Sequence, residues 1–182
     1  MALITPSRAI ELQPALESYS TAEIAAALES VSAAIESRCN RKFAQATVVD
    51  QVIETDQYGY SWINRPPITS GSFSVKTLTG NAALSGFILN TESGELILKS
   101  HPNYYLKASF QGGFATIPAG VELAAAAMTL RLLTRLPRLG SVSQIQIGSE
   151  TTAFSVTGAE KYELFDPAIL HILGPYILGG LA

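Results

Sequence analysis

The sequence predicts an α+β protein: a small helical bundle with an inserted antiparallel strand region. Two observations predict this class. Apolar residues recur at helical spacing towards both ends of the chain, whereas between about residues 46 and 111 they alternate with polar residues, as in half-buried strands. We expect helices at about 20–40, 118–136 and 167–174. The length of 182 residues is typical of one domain, so the whole chain, 1–182, is predicted to form a single one.

The first long helix is predicted from its start signal. A short lead with Pro6 and Pro14 comes first, and Ser20 and Glu23 then fit the capping box, in which each side chain accepts a hydrogen bond from the other residue's backbone. Apolar residues follow at spacings of three and four, on one side of the helix: Ile24, Leu28, Val31 and Ile35. Three basic residues near the expected end suit the negative end of the helix dipole: Arg38, Arg41 and Lys42.

The strand region contains one hairpin that is readable from the sequence. Phe87–Leu89 and Glu95–Leu98 form its two arms, and Gly94 between them can take the positive φ that closes such a loop. Arg65–Pro67 ends an earlier strand, because a proline cannot donate a hydrogen bond to a ladder. A last strand is expected over Tyr104–Phe110.

Two further helices follow the strand region. Pro118 suits the first turn of the second helix, and the small side chains of Ala124–Ala127 would let another helix approach closely. The polar segment 140–158 is predicted to be an extended arm or a loose hairpin. A third, short helix begins after Asp166 and is followed by the C-terminal tail 175–182.

The composition favours contacts with other proteins. Charged residues make up 15% of the chain, against about 25% in ordinary soluble domains, so we expect part of the surface to be buried against a partner. The formal net charge of −3 argues against a protein whose main task is to grip phosphate backbones. No segment reaches the roughly 18 consecutive apolar residues that span a bilayer, and no membrane partner is predicted.

Residues suited to catalysis or to metal binding are scarce. The chain has one cysteine and two histidines, and no pair of potential ligands shows a recognised metal spacing. His101 lies in a Ser-His-Pro-Asn turn sequence and His171 in an apolar helix, and both positions are more typical of structural residues than of a general base. The sequence therefore predicts no enzyme activity, no catalytic residue, no metal and no cofactor.

Two other functions stay open at this point. Arginines recur at spacings of four and three, at Arg131, Arg135 and Arg138, and a basic stripe of this kind would make the chain a small nucleic-acid-binding regulatory protein. A solvated or subunit-contacting face explains the arginines better, because no aromatic residues are interleaved with them. An unrecognised hydrolase that uses His101 is the second alternative.

Five segments, taken in order, are similar to one known family. The chain resembles the head-tail connector, or adaptor, proteins of tailed bacteriophages over about residues 20–176. The segments that carry the resemblance are Ala34–Phe43, Asn64–Ile68, Leu89–Leu96, Phe110–Pro118 and Ile169–Tyr176. Each motif is short, and their order along the chain carries the resemblance.

The resemblance implies a structural virion protein without catalytic activity. Members of this family form a ring, expected here to be dodecameric, that docks on the portal, extends the DNA channel and provides the surface to which the tail attaches. The implied partners are other copies of the chain, the portal protein, a tail-side neck or tail protein, and genomic double-stranded DNA that passes through without sequence-specific binding. The implied location is the virion neck, after assembly in the host cytoplasm.

The C-terminal segment is the candidate docking element. Asp166 is the last formally charged residue, and the apolar character of the chain continues past Gly174. Under the resemblance, six residues are expected to bind the portal or a neighbouring subunit: Ile169, Leu170, Leu173, Tyr176, Ile177 and Leu178. The alternative is that they pack on the subunit's own core. If they dock, truncation after Asp166 leaves a folded subunit that no longer joins the portal.

Two further sets of residues follow from assembly into a ring. The subunit interface is expected to include Ala124, Ala127, Arg131 and Arg135. A channel that lets DNA pass should be neutral to acidic, because tight basic contacts would retard DNA. The candidates for the channel wall are Asp56, Glu92, Glu95 and Glu150.

Overall fold

The chain is α+β, and its contacts divide it into two compact units. The computed structural model describes residues 2–135, 144–147, 150–153, 162–163 and 165–178. The helical unit comprises Met1–Asn40 with Ile117–Ile177, and the main part of the strand unit is Arg41–Thr116. A strand region is therefore inserted between helices, as predicted. That both units belong to one domain stays a prediction.

Four α-helices and two short 3-10 helices lie in the helical unit among the described residues. The α-helices are α1 (Pro6–Leu12), α2 (Thr21–Cys39), α3 (Ala119–Arg135) and α4 (Pro167–Leu173), and the 3-10 helices span Pro14–Ser18 and Gly174–Tyr176. The three predicted helices are confirmed to within about two residues at each end. Helix α1 and the first 3-10 helix lie in the segment that the sequence analysis treated as a short lead.

The ends of α2 show why the sequence predicted it well. Ser20 Oγ accepts a hydrogen bond from the Glu23 N–H at 3.3 Å, and Glu23 Oε2 accepts one from the Ser20 N–H at 2.8 Å. The predicted capping box is therefore confirmed. At the other end Asn40 takes the left-handed conformation, with φ +49°, in which asparagine is among the few tolerated residues.

The core of the helical unit lies where α1, α2 and α4 pack on α3 and α1 packs on α2. Side chains from α2 and α3 supply most of it, and Ala124, Ala125 and Ala126 are fully buried. Their small size permits the close approach of helices that the sequence predicted. The larger buried residues are Leu16, Ile24, Leu28, Ile35, Val121, Met128, Leu133, Ile169 and Leu173.

The strand unit contains two antiparallel sheets. The first has the order β1 (Ala46–Glu54), β7 (Tyr105–Gly112), β3 (Ser74–Thr77) and β4 (Ala83–Leu84), and the second has the order β2 (Tyr60–Trp62), β6 (Glu95–Ile97) and β5 (Ile88–Leu89). The two sheets share a core whose largest members are Ile53, Ile63, Ile68, Leu96, Leu98, Leu106 and Phe110. Strands β1 and β2 each lie at an edge, and this places the groove described below.

The predicted hairpin is confirmed. Strands β5 and β6 pair antiparallel, with Leu89 opposite Leu96. Gly94 closes the loop at φ +75°, and its N–H donates to the Asn90 carbonyl at 2.8 Å. The last predicted strand corresponds to β7.

A third group of strands lies in and just after the segment 140–158. Strands β8 (Gln144–Ile147) and β9 (Glu150–Ala153) pair antiparallel, and β10 (Tyr162–Glu163) pairs with β8 in parallel. The extended conformation is confirmed for the described residues of 140–158, and the rest of that segment lies outside them.

Candidate functional site

A groove of about 620 Å³ lies in the strand unit, between β1 and β2. These strands follow each other in the chain but belong to different sheets, so they diverge from the turn that joins them instead of pairing. The groove is lined by Gln51, Val52, Ile53, Glu54, Thr55, Asp56, Tyr60, Ser61, Trp62, Asn64 and Asn103. It is therefore bounded by two sheet edges and by the turn between them.

The open edge of β1 exposes backbone groups. The Thr55 N–H donates to the Tyr104 carbonyl at 3.0 Å, just beyond the point where β1 and β7 pair. In an antiparallel ladder alternate residues direct their backbone groups to the partner strand. Ile53 therefore bonds towards β7, while the N–H and C=O groups of Val52 and Glu54 point the other way, away from β7.

The edge of β2 is arranged in the same way. The Ile63 N–H donates to the Gly94 carbonyl at 2.8 Å, and the Gly59 carbonyl accepts from the Leu98 N–H at 2.7 Å. Gly59 and Ile63 thus face β6, so by alternation the backbone groups of Tyr60 and Trp62 face away from it.

The turn between the strands is held by Asp56. Its carboxylate accepts hydrogen bonds from the N–H groups of Tyr58 and Tyr60, each at 2.8 Å. The Asp56 N–H in turn donates to the Tyr60 carbonyl at 2.8 Å. The N–H and C=O groups of Tyr60, which face away from β6, are therefore both hydrogen-bonded within the turn. Trp62 is the residue of β2 whose N–H and C=O groups face the groove.

The charged side chains of the groove are acidic. Glu54 and Asp56 are both exposed, and the lining contains no lysine or arginine. The Tyr105 hydroxyl donates a hydrogen bond to Glu54, and this bond to the carboxylate raises the pKa of Tyr105 above its usual value. Glu95, opposite Trp62 in the β2–β6 ladder, adds a third carboxylate on an adjoining strand.

Large apolar side chains on these strands stay exposed. Val52 is 55% exposed and Trp62 is 42% exposed, although both lie in the region 46–111, where the alternating pattern predicts half-buried strands. Buried neighbours Ile53 and Ile63 fill the core instead. Exposed apolar side chains beside open strand edges are typical of a surface that binds another polypeptide.

The predicted channel residues do not form one cluster. Asp56 lies in the groove and Glu95 lies beside it, whereas Glu92 is at the exposed tip of the β5–β6 hairpin. Glu150 lies in β9, and its side chain is outside the described residues. The structure thus brings Asp56 and Glu95 near the same strand, and it adds Glu54, which the sequence analysis did not single out.

The predicted C-terminal anchors divide into buried and exposed residues. Ile169 is 4% exposed and Leu173 is fully buried, because α4 packs against α3 within the helical unit. The expectation that these two residues contact a partner is corrected: they belong to the subunit's own core. Ile177 is 40% exposed, while Leu170, Tyr176 and Leu178 are half-buried.

The predicted subunit-interface residues on α3 divide in a similar way. Ala124 is fully buried in the helical unit, so the structure corrects its assignment to an intersubunit surface. Ala127 is half-buried and Arg135 is exposed. Arg131 forms an ion pair with Asp166, and Arg138 lies outside the described residues. The arginines that suggested nucleic-acid binding therefore include one that is paired within the helical unit.

Asp166 links α3 to the start of α4. Its Oδ1 accepts a hydrogen bond from the Ile169 N–H at 2.8 Å, which caps α4, and its other oxygen pairs with Arg131. The backbone hydrogen bond and, secondarily, the Arg131 guanidinium lower the pKa of Asp166 below its usual value. The carboxylate is therefore stabilised in its charged form in the folded state.

Replacing Asp166 tests this cap. We expect Asp166→Ala to lower the free energy of unfolding by about 1 kcal/mol. Because the folded-state pKa is below the unfolded-state value of about 3.9, the stabilisation is present above that value and is lost as the pH falls through the folded-state pKa. Urea unfolding at several pH values measures both effects.

Asp166→Asn is the matched control, since asparagine also caps helices but does not titrate. This variant should keep most of the stability near neutral pH and show a weaker loss in acid than the natural chain. Equal acid sensitivity of the two proteins would contradict the role of Asp166.

The residues considered for catalysis are in structural surroundings. His101 Nδ1 is 2.8 Å from the hydroxyl of its neighbour Ser100, and the ring packs edge-on against Tyr104 with ring centres 5.4 Å apart. The Thr55 hydroxyl donates to the His101 carbonyl at 2.6 Å, which ties this turn to β1. His171 is exposed on α4, and Cys39 is buried at the end of α2.

Arg41, which follows α2 and belongs to the strand unit, also has a structural role. The Arg41 side chain is 6% exposed, donates to the Pro66 carbonyl, and lies 5.3 Å and 5.1 Å from the ring centres of Phe43 and Phe114. Cation–π contacts of this kind stabilise a desolvated guanidinium. Arg41 is consequently unavailable to a nucleic-acid backbone.

Comparisons with known proteins give no family assignment. No protein-family model matches the chain, and no curated protein matches it. Among the described residues, no group of three or more histidine, cysteine, aspartate or glutamate side chains is placed to hold a metal ion. None of the helices in the described ranges has the length and apolar character required to cross a bilayer.

Proposed function

We propose that this chain is a structural protein of the bacteriophage neck, which assembles as a ring on the portal, extends the DNA channel and provides a surface for tail attachment. The observation that carries the proposal is the order of the five connector-like segments along the sequence. The ring is expected to contain twelve copies, and its function requires neither a cofactor nor a catalytic residue.

The surface of the strand unit supports a protein-binding role. Open strand edges and exposed apolar side chains around the groove are typical of a subunit that buries part of its surface against other proteins. The low fraction of charged residues, 15%, fits burial of further surface in an assembly. A ring closes through a heterologous contact, in which two different surfaces of the same chain meet.

Acidic residues support the passage of DNA through such a ring. The net charge is −3, and Glu92, a predicted channel residue that lies outside the groove, is exposed. A neutral to acidic wall repels phosphate backbones weakly and does not retain them. Strong binding of duplex DNA by the isolated chain at physiological salt would contradict this part of the proposal.

Assembly with the portal tests the proposal. The purified chain is mixed with the portal protein encoded by the same genome, and the complex is weighed by native mass spectrometry. We expect a closed set of copies on each portal, whether or not the free chain is monomeric. A single copy on each portal, or none, would overturn the proposed ring.

The exposed part of the C-terminal segment should take part in docking. We expect Ile177→Asp to weaken binding to the portal by about tenfold, because it places a charge on a side chain that is 40% exposed and surrounded by apolar sequence. Its unfolding curve should be unchanged. Ile88→Asp is the matched control, since Ile88 is 63% exposed on β5. Equal losses in the two variants would remove the C-terminal segment from the docking surface.

A further inference from the structure

The groove between β1 and β2 has the features of a docking site for an extended peptide. We propose that it binds an extended, basic segment of a partner protein, which adds as a strand to the open edge of β1 and places a lysine or arginine beside Glu54 and Asp56. That this partner is another protein of the phage neck rests on the proposed function. The binding chemistry is argued from the groove itself.

The backbone of β1 provides the first argument. Val52 and Glu54 direct their N–H and C=O groups away from β7, and they lie in the longest edge strand of the strand unit. An added strand would pair with these groups, and strand addition of this kind derives much of its affinity from main-chain hydrogen bonds. The position of Val52 and Glu54 at i and i+2 also places their side chains on one face.

The divergence of β1 and β2 provides the second argument. Two paired strands lie about 4.8 Å apart, which leaves no room for a third, whereas these two strands separate around a volume of about 620 Å³. Trp62 directs its backbone groups away from β6, and it lines the groove with a side chain that is 42% exposed. A peptide beside β1 would therefore meet an aromatic surface on its other side.

The charges of the groove select the occupant. Glu54 and Asp56 line it, Glu95 lies across from Trp62, and the lining has no basic residue. Lys107 is opposite Val52 in the sheet, but its Nζ donates to Asn81 at 3.1 Å. A basic side chain would meet carboxylates and the aromatic side chains of Tyr60 and Trp62, and aromatic rings attract cations.

A second copy of the same edge is a poorer occupant. Antiparallel pairing of β1 with β1 about a two-fold axis near Thr55 would bring Glu54 of each copy opposite Asp56 of the other. Like charges opposite each other destabilise a strand pair. A basic segment of a different protein is therefore favoured over a second, acidic copy of β1 as the occupant of this groove.

The position of Trp62 provides a direct measurement. It is the only tryptophan of the chain, so its fluorescence reports on the groove without a label. The probe is a blocked peptide of sequence Thr-Lys-Val-Lys-Val-Thr, titrated into the full-length protein at low salt. We expect a saturable blue shift of the emission, because a bound strand removes water from the indole.

Two altered peptides separate charge from strand pairing. The counterpart with glutamate in place of lysine should bind at least tenfold more weakly, because it meets the groove carboxylates. A counterpart with alternate backbone amides methylated, which cannot complete a ladder, should also bind at least tenfold more weakly. Equal binding of the acidic peptide, or the absence of any saturable shift with the basic one, would overturn the proposal.

Variants of the protein locate the site. We expect Glu54→Lys to weaken binding of the basic peptide by about tenfold. Val52→Pro should weaken binding by about fivefold, since proline removes an N–H that does not face β7. Glu29→Lys is the control for charge, because Glu29 is exposed on α2. The affinity of this variant for the basic peptide should stay within twofold of that of the natural chain. Equal losses for Glu29→Lys and Glu54→Lys would overturn the site.

The design also distinguishes this inference from the proposed function. The titration uses the free chain, so it does not depend on ring assembly or on the portal. A blue shift that grows with protein concentration in the absence of peptide would identify a second copy as the occupant and overturn the proposed partner. Peptide binding without assembly on the portal would support the groove and contradict the neck function.

Discussion

Truncation of the chain after Asp166 is expected to destabilise the helical unit by about 3–6 kcal/mol, the value of returning two large aliphatic side chains to water. Ile169 is 4% exposed and Leu173 is fully buried, and both pack where α4 meets α3. The sequence alone instead predicts a folded, soluble product. Urea unfolding of the truncated and full-length chains, followed by circular dichroism, measures the difference.

Two point variants distinguish the buried side of α4 from the exposed segment that follows it. Leu173→Ala should lower the free energy of unfolding by roughly 2–5 kcal/mol, as is usual for a buried leucine. Ile177→Asp should change it by less than about 0.5 kcal/mol, because its side chain is partly exposed. A truncated chain as stable as the full-length protein would show that α4 is dispensable for the core and would restore the original prediction.

Gly59→Ala should destabilise the strand unit by on the order of 3 kcal/mol, because two separate costs add at this residue. Gly59 has φ +83°, which side chains rarely adopt, and a Cβ atom built on it would overlap the Leu98 carbonyl oxygen. That carbonyl belongs to the backbone and cannot turn aside as a side chain would. Thermal unfolding and the peptide titration should both show the loss, since Gly59 shapes the turn beside the groove.

Gly71→Ala is the control for the dihedral cost alone. Gly71 has φ +76°, close to that of Gly59, but apart from Gly71 itself and its two chain neighbours no residue has an atom within 4 Å of the position that its Cβ would occupy. Its destabilisation should be only about 1 kcal/mol. Similar losses in the two variants would contradict the close approach between Gly59 and Leu98.

Local signals made the helices and the hairpin predictable. Ser20 and Glu23 satisfy each other within four residues, and Gly94 closes a loop whose two arms are adjacent in sequence. Such features depend on neighbours in the chain, so they can be recognised without knowledge of the tertiary fold. The α+β class followed from the same local patterns, because the change from helical to alternating spacing marks the inserted strands.

The groove was not predictable, because it depends on which sheet each strand joins. Val52 and Ile53 are adjacent in sequence and both favour strands, yet one is exposed at an edge and the other is buried. The single signal was the Asp-Gln-Tyr-Gly sequence that begins at Asp56, which indicates a turn but not that the flanking strands diverge. Only the pairing of β2 with β6 shows that Trp62 faces the groove.

Apolar periodicity left the role of the C-terminal helix ambiguous. A stripe such as Ile169 and Leu173 looks the same whether it packs on its own subunit or on a partner. The contact between α4 and α3 decides in favour of the subunit for these two residues. The small residues of α3 carried the same ambiguity, and the full burial of Ala124 decides it in the same way.

The location of the chain in the virion tests the central claim most directly. Particles produced by the genome that encodes this chain are labelled with a gold-conjugated antibody against it and imaged by electron microscopy, after mild opening of the neck to admit the antibody. The account predicts gold at the junction of head and tail, and none on particles assembled without the chain. Gold confined to the capsid shell or the tail tip, or virions that lack the chain altogether, would contradict it.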